Sequence, residues 1–155
     1  MLLILHNIRS VHNVGSIFRT ADAAGISKIL LSGYTPTPID RFKFPRKDFA
    51  KVSLGAEKSV PWEQIKNLPI ALTKLKKEGC TVAAVEQSKK STPLFDYKPK
   101  DTNRLALVLG NEVRGVSKPI LEKCDVVLEI PMRGKKESLN VSVAAGISMF
   151  ALLQK

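Results

Sequence analysis

The stretch RLALVLG, from Arg104 to Gly110, carries the clearest structural signal in this chain of 155 residues. Five apolar residues in a row, closed by a glycine, predict a buried strand at Arg104–Leu109. Similar short runs on both sides predict further strands at Leu2–Leu5, Lys28–Ser32, Val60–Ile65, Thr81–Val85 and Val126–Ile130. Helical patterns alternate with them, at Asn13–Gly25, Pro69–Glu78, Lys118–Lys123 and Asn140–Leu153. This alternation predicts one α/β domain, residues 1–155, with a mostly parallel sheet flanked by helices.

The first helix has recognisable ends, since Asn13 is a plausible N-cap and Gly25 a plausible residue just beyond the last turn. Two proline-containing stretches, 33–45 and 89–100, predict exposed loops. The last helix is apolar around most of its circumference, so it should be buried on more than one side. We favour a homodimer as the explanation, because symmetric dimers are the commonest oligomers, but a central helix in a monomer explains the pattern as well.

The formal net charge is +11, from 25 basic and 14 acidic side chains. Such an excess attracts polyanions, although charge that serves only solubility is an alternative. Phe42 and Phe44 are interleaved with the basic residues Arg41, Lys43, Arg46 and Lys47. Basic and aromatic side chains together are typical of an RNA-contacting loop, and a solvated loop is the alternative.

The two cysteines, Cys80 and Cys124, begin apolar runs and are predicted to be buried thiols. They form no zinc motif, so no metal is predicted. So few cysteines favour a reducing, cytoplasmic compartment. The first ten residues, MLLILHNIRS, do not resemble a signal peptide, and no segment has the roughly 20 apolar residues that a membrane span needs.

Polar or glycine-containing segments follow three of the predicted strands, and ligands bind parallel sheets beyond the carboxyl ends of the strands. The glycine fingerprints of dinucleotide-binding domains and P-loop enzymes are absent, as is the nucleophile elbow of hydrolases. A nicotinamide-dependent enzyme is therefore disfavoured. Taken singly, Asn13 and Asn140 could be helix caps, Glu112 a turn residue and Arg19 a solvated charge.

Taken together, three segments resemble the motifs of the SpoU/TrmH family of methyltransferases. NIRSVHNVGSIFRTA, residues 7–21, is similar to motif 1, and LVLGNEVRGVS, residues 107–117, is similar to motif 2. IPMRGKKESLNVSVAAGI, residues 130–147, is similar to motif 3. The positions that match are Asn7, Arg9, Asn13, Gly15, Arg19, Thr20, Ala21, Gly110, Glu112, Gly115, Ile130, Pro131, Met132, Ser138, Leu139, Asn140 and Ser142.

The resemblance implies an S-adenosylmethionine-dependent RNA ribose 2′-O-methyltransferase. It also implies a C-terminal trefoil knot, which is a rare exception to the usual topology, and an obligate dimer packed through it. The cofactor positions that it implies, mostly through backbone groups, are Val85, Glu86, Leu109, Gly110, Ile130, Met132, Ser138 and Leu139.

The catalytic residues that the resemblance implies are Arg19, Asn13, Ser138, Asn140 and Glu112. A guanidinium keeps its proton near neutral pH, so Arg19 is expected to hold the adjacent phosphate and stabilise developing alkoxide charge rather than act as a base. Asn13, Ser138 and Asn140 would orient Arg19 and the ribose, and Glu112 would fix the motif 2 loop or pair with an arginine of either subunit. RNA contacts are expected at Arg9, Arg19, Arg41, Lys43, Arg46 and Arg114.

The RNA target is not encoded in these motifs. The match begins at the first strand, without the extra domain common in ribosomal-RNA members, and this slightly favours tRNA over rRNA. The competing hypothesis is a non-catalytic RNA-binding or ribosome-assembly factor that retains the fold; intact Arg19 and Asn140 argue against it.

Overall fold

A computed structural model describes residues 1–154 and has a seven-stranded sheet at its centre. The strands lie in the order β3-β2-β1-β6-β4-β7-β5, and every neighbouring pair is parallel. Their bounds are β1 Leu2–His6, β2 Lys28–Ser32, β3 Trp62–Ile65, β4 Thr81–Val85, β5 Thr92–Pro93, β6 Leu105–Leu109 and β7 Val126–Glu129. The predicted α/β architecture with a parallel sheet is confirmed, and β5 is a two-residue strand inside a predicted loop.

Six α-helices flank the sheet in the described residues. They are α1 Val11–Ala24, α2 Lys47–Ser53, α3 Ala56–Ser59, α4 Leu68–Lys77, α5 Lys118–Leu121 and α6 Val141–Leu153. The sequence patterns did not predict α2 and α3. The fully buried Phe49 of α2 packs edge-on against Phe18 of α1, with ring centroids 5.2 Å apart. This tertiary contact stabilises a helix whose own pattern is weak.

The core has two layers because side chains alternate between the two faces of each strand. Leu3 and Leu5 of β1 point to the face covered by α1, α2 and α6, whereas Ile4 points to the face covered by α4 and α5. All five residues of β6 are buried, as a central strand of a doubly covered sheet requires. The carboxyl ends of β1, β4, β6 and β7 therefore meet at one rigid edge.

The predicted N-cap of α1 is wrong by three residues. Ser10 caps the helix, and its hydroxyl accepts a hydrogen bond from the Asn13 backbone N–H. The amide side chain of Asn13 is therefore free for other contacts. Gly25 does end the helix, with a left-handed φ of 71°.

The last helix, α6, is not enclosed within the single chain. One face is buried, but Val143 and Phe150 on another face are each 49% exposed. The cysteines likewise differ from expectation, because both are only half-buried. Burial and the nearby Asp125 carboxylate raise the pKa of the Cys124 thiol to about 11.

Candidate active site

A cavity of about 320 Å³ opens at the carboxyl ends of β4, β6 and β7. Four segments line it: residues 85–87 after β4, 109–115 after β6, 129–132 after β7, and 137–144 leading into α6. Its size falls in the range of small-molecule sites. We call it the strand-end cavity.

All eight positions that the sequence suggested for a cofactor line the strand-end cavity. They are Val85, Glu86, Leu109, Gly110, Ile130, Met132, Ser138 and Leu139. The cavity is also lined by Glu112 and by residues that the motifs did not single out, among them Gln87 and Ala144. Four separate stretches of sequence thus line a single cavity.

The loop after β6 is closed so tightly that only glycine fits at position 110. A Cβ there would lie 2.5 Å from the backbone of Gly115. The Glu86 carboxylate fixes the far side of this loop by accepting hydrogen bonds from the backbone N–H of Val116 at 2.9 Å and of Gln87 at 2.8 Å. Glu86 therefore shapes the cavity wall.

Glu112 joins the loop after β6 to the segment before α1. Its carboxylate accepts hydrogen bonds from the backbone N–H groups of Arg9 and Ser10 and from the Asn13 side-chain amide, each at 3.0 Å. Burial raises the pKa of Glu112, but these hydrogen bonds outweigh it and hold the pKa below its usual value. The ionised carboxylate is therefore the form that the fold favours.

Asn140 extends this network to the third segment. Its amide N–H donates to the Asn13 side-chain oxygen at 3.1 Å, and its own oxygen accepts from the backbone N–H of Ser142 at 2.9 Å. The predicted cap of α6 at Asn140 is thus confirmed. Glu112, Asn13 and Asn140 form a continuous chain of hydrogen bonds, which we call the motif clasp.

The charge of the strand-end cavity is one-sided. Glu86, Glu112, Glu129 and Glu137 line it, and within residues 1–154 no lysine, arginine or histidine does. A cavity with this lining favours a ligand that carries positive charge.

Arg19 lies outside the strand-end cavity, so the structure of one chain does not bring it together with the cofactor positions. It lines an open groove between α1 and α2 with His12, Ser16, Thr20, Ala23, Lys51 and Val52. We call this the helix groove. It holds two full cations, Arg19 and Lys51, and no carboxylate among its lining residues. Sequence reasoning missed Lys51, because α2 itself was not predicted.

Three of the predicted RNA contacts, Arg41, Lys43 and Arg46, lie in the loop from Gly33 to Arg46. Arg9 and Arg114 are exposed elsewhere, at the loop after β6 and the segment that it contacts. Arg41 and Lys43 are exposed, and the Arg41 guanidinium lies 4.7 Å from the Phe42 ring centroid. Arg46 is instead engaged by the Asp48 carboxylate, with two hydrogen bonds at 3.2 and 2.8 Å.

Within residues 1–154, no group of histidine, cysteine and acidic side chains is arranged to hold a metal ion. None of the helices in this part of the chain has the length and apolar character of a membrane span.

Comparison with known proteins gives consistent relatives. RlmB of Escherichia coli, a 23S rRNA (guanosine-2′-O-)-methyltransferase, is 36% identical over 99% of this chain and 60% of its own length. The crystal structure of the A. aeolicus TrmH/SpoU tRNA modifying enzyme superposes with a TM-score of 0.84 at 30% identity, over 98% of this chain and 73% of that one. An AdoMet-bound rRNA methyltransferase from Sinorhizobium meliloti gives 0.86 at 27%, over 97% and 54%.

The chain spans about three fifths of the length of the curated relatives it matches. The model of the SpoU rRNA Methylase family matches residues 1–150, which is nearly the whole chain. The strand-end cavity, its motif clasp and this match agree, and the chain belongs to the SpoU rRNA methylase family.

Proposed function

We propose that this chain binds S-adenosylmethionine in the strand-end cavity and transfers its methyl group to a ribose 2′-hydroxyl of RNA. The observation that carries the proposal is the convergence of the eight cofactor positions on one cavity of about 320 Å³. The S. meliloti relative, which was crystallised with AdoMet, supports the cofactor, and RlmB, by name a guanosine-2′-O-methyltransferase, supports the bond formed.

The cavity also fits this cofactor electrostatically. S-adenosylmethionine carries a sulfonium and an ammonium against one carboxylate, so its net charge is positive. A wall with four glutamates and no basic side chain among residues 1–154 suits that charge. The apolar side chains of Leu109, Ile130 and Leu139 offer a slot for an adenine ring.

The bound cofactor would supply an electrophilic methyl group on a sulfonium, which leaves as a neutral thioether. The chain's own residues must then position the ribose oxygen and stabilise its developing negative charge. Arg19 is the proposed group, acting by a planar fork that binds phosphate and alkoxide while remaining protonated. The hydroxyl proton would pass to the adjacent phosphate or to water. Ser138 lines the cavity and would orient the ribose, and Asn13 and Asn140 would keep the two motifs in register.

A homodimer is part of the proposal. The exposed apolar face of α6, with Val143 and Phe150, adjoins Leu139 and Ala144 at the cavity. A second copy covering that face would exclude water from the site, and Arg19 would act at the cavity of either subunit. The trefoil knot, in which the C-terminal part of the chain threads a loop, is proposed from the family resemblance, and a cytoplasmic location is proposed from the low cysteine content.

The RNA class is the open part of the proposal. One solved relative is a tRNA enzyme by its description and another an rRNA enzyme, so the relatives support both. The slight preference for tRNA stays a prediction.

The test is methyl transfer from labelled S-adenosylmethionine to separate tRNA and rRNA pools, with cofactor affinity measured by calorimetry. Arg19→Ala should abolish transfer and keep cofactor affinity. Arg104→Ala is the matched control, because Arg104 is exposed at the opposite end of β6 and should retain full activity. Full turnover by Arg19→Ala would refute the catalytic assignment, and cofactor binding without label in either pool would favour a non-catalytic RNA-binding factor.

The dimer has its own test. Phe150→Glu places a charge on the exposed α6 face and should yield monomers in sedimentation velocity, with methyl transfer lost. Ile70→Glu is the control, since Ile70 is 66% exposed on α4, on the other side of the sheet. A wild-type monomer with full activity would contradict the proposed dimer.

A further inference from the structure

A second cavity, of about 700 Å³, lies under the loop that follows β2. Its walls include three aromatic side chains: Tyr34 and Phe42 from the loop and Trp62 from the edge strand β3. Gln64, two residues along β3, adds an amide that both donates and accepts hydrogen bonds. We call this the aromatic cleft.

The loop that forms the cleft is held in place by its own hydrogen bonds. The Asp40 carboxylate accepts from the backbone N–H groups of Phe42 at 2.8 Å and Phe44 at 2.9 Å. Ile39 and Pro45 form an antiparallel bridge across its base. Phe42, 65% exposed, is therefore presented to solvent on an organised loop, and a stacking ligand would pay little ordering entropy.

The charges at the cleft favour an anionic ligand. Arg41 and Lys43 line it, and neither has a carboxylate partner among residues 1–154. The one carboxylate in the lining, Asp40, is occupied by the loop backbone. The Arg41 guanidinium already lies against the Phe42 ring, which is the arrangement that extends a stack.

One hydrogen bond ties the cleft to the strand-end cavity. The Asn111 side-chain amide donates to the Tyr34 hydroxyl at 3.1 Å, and Asn111 lines the cavity. Tyr34 is 57% exposed, so its ring is fixed at one end and open along its face. The cleft and the cavity are therefore neighbours along the surface on which RNA would lie.

We propose that the aromatic cleft binds one unpaired nucleobase of the substrate RNA, stacked on Phe42 and Tyr34, beside the nucleotide that is methylated. This rests on the proposed function, which makes RNA the substrate, and it narrows that substrate to RNA that is single-stranded at the site. Single-stranded RNA is recognised by bases stacked on aromatic rings and arginine planes, whereas base-paired RNA keeps its bases in the helix.

The chain carries a built-in probe for this binding, because Trp62 is its only tryptophan and lies in the cleft. The probe ligand is a single-stranded oligoribonucleotide of about ten nucleotides, a length typical of such sites, titrated without S-adenosylmethionine. Saturable quenching of Trp62 fluorescence by the single strand, and not by the same sequence in a duplex, is the expected result. Trp62→Phe should remove the signal.

Phe42→Ala should weaken single-strand affinity by roughly tenfold, the value of one lost stacking contact. Phe44→Ala is the matched control: Phe44 is 68% exposed in the same loop but does not line the cleft, so its loss should change affinity by less than about twofold. Tyr34→Phe keeps the stacking ring but loses the hydrogen bond to Asn111, so its affinity should fall by much less than that of Tyr34→Ala. Tyr34, Phe42 and Phe44 are exposed and Trp62 is half-buried. Melting temperatures will verify that the variants fold.

Three results would overturn the cleft: equal quenching by duplex, wild-type affinity in Phe42→Ala, or equal losses in Phe42→Ala and Phe44→Ala. These are distinct from failure of the proposed function. If the wild type transfers methyl groups and Phe42→Ala leaves both RNA affinity and KM unchanged, only the cleft fails. If RNA binding follows the predicted pattern but no methyl transfer occurs, the proposed function fails and the nucleobase site stands.

Discussion

The strand-end cavity and the helix groove lie on the same molecule but carry opposite charges. The cavity has four glutamates and, within residues 1–154, no basic side chain, whereas the groove has Arg19, Lys51 and His12 and no carboxylate. A polyanion would be repelled by the first and attracted by the second. The difference fits the proposed function, in which a cationic cofactor and the RNA backbone would occupy separate surfaces that meet at the reacting ribose.

The two regions also differ in construction. The cavity is fixed by hydrogen bonds of Glu86 and of the motif clasp, in which Glu112 and Asn13 are half-buried and Asn140 is exposed. The groove is lined by exposed and half-buried side chains, and its two cations, Arg19 and Lys51, are both exposed. Damage to the cavity should therefore lower both stability and cofactor affinity, whereas damage to the groove should lower RNA affinity alone.

The largest effect is expected from Glu112→Gln. The new amide must point N–H groups at donors that now face a carboxylate, and a mismatch of this kind costs about 1–3 kcal/mol. The free energy of unfolding should fall by that amount in urea denaturation, with cofactor affinity reduced as the loop after β6 loosens.

Glu122→Gln is the control for this change. Glu122 is exposed, and its one ion pair, with Lys118, is long at 3.9 Å and exposed to solvent. Such a pair contributes little, so the same substitution there should be nearly neutral. Equal stability losses in the two variants would show that the motif clasp has no special role.

Strands with a clear local pattern were predicted correctly from the sequence, whereas elements that depend on distant contacts were not. The bounds of β2 at Lys28–Ser32 and of β4 at Thr81–Val85 were predicted to the residue, because each is a short apolar or β-branched run with clear ends. Helix α2 was not predicted, because Phe49 is its main buried side chain and its partner, Phe18, is far away in sequence. Asn13 was misassigned as a cap since Ser10, three residues earlier, fits the same role.

The candidate site shows the same division. The eight cavity positions were implied by the family resemblance, and strand-end geometry alone indicated only that ligands bind at the edge where parallel strands bring their carboxyl ends together. The position of Arg19 in a different groove depends on how α1 packs against α2, and no local pattern contains that information. The Tyr34 to Asn111 hydrogen bond, which joins residues 77 positions apart, could not be predicted either.

Reversing a charge in the helix groove is expected to have the next largest effect. Lys51→Glu should raise the KM for RNA about tenfold, since one phosphate contact is replaced by repulsion, and should reduce the salt dependence of RNA binding. Cofactor affinity should not change, because Lys51 does not line the cavity. The control is Lys58→Glu on α3, which alters net charge equally outside the groove; an equal rise in KM there would assign the effect to overall charge.

Lowering the pH should reduce the stabilisation that the Glu112 carboxylate provides. The folded-state pKa of Glu112 is depressed, so its contribution to stability is present above the unfolded value of about 4.3 and is lost as the pH falls through the folded pKa. The stability difference between wild type and Glu112→Gln should therefore shrink as the pH is lowered from about 6 to about 3 in urea titrations. A difference that stays constant across this range would contradict the assignment.

The smallest expected effect is the difference in RNA affinity between losing an unpaired and a paired arginine beside the aromatic cleft. The Arg46 guanidinium donates two hydrogen bonds to the Asp48 carboxylate, and this pairing raises the pKa of Arg46. Arg41 has no carboxylate partner within residues 1–154. Arg41→Ala should therefore weaken single-strand RNA binding severalfold, because Arg41 is free to contact RNA. Arg46→Ala should weaken it by less than about twofold, because Arg46 is already paired with Asp48. Loss of that ion pair should not unfold α2, since surface ion pairs contribute at most about 1 kcal/mol. Asp48→Asn sharpens the point, because it releases Arg46 and should strengthen RNA binding in fluorescence titrations. Weaker binding by Asp48→Asn would mean that Arg46 contacts RNA only while Asp48 orients it.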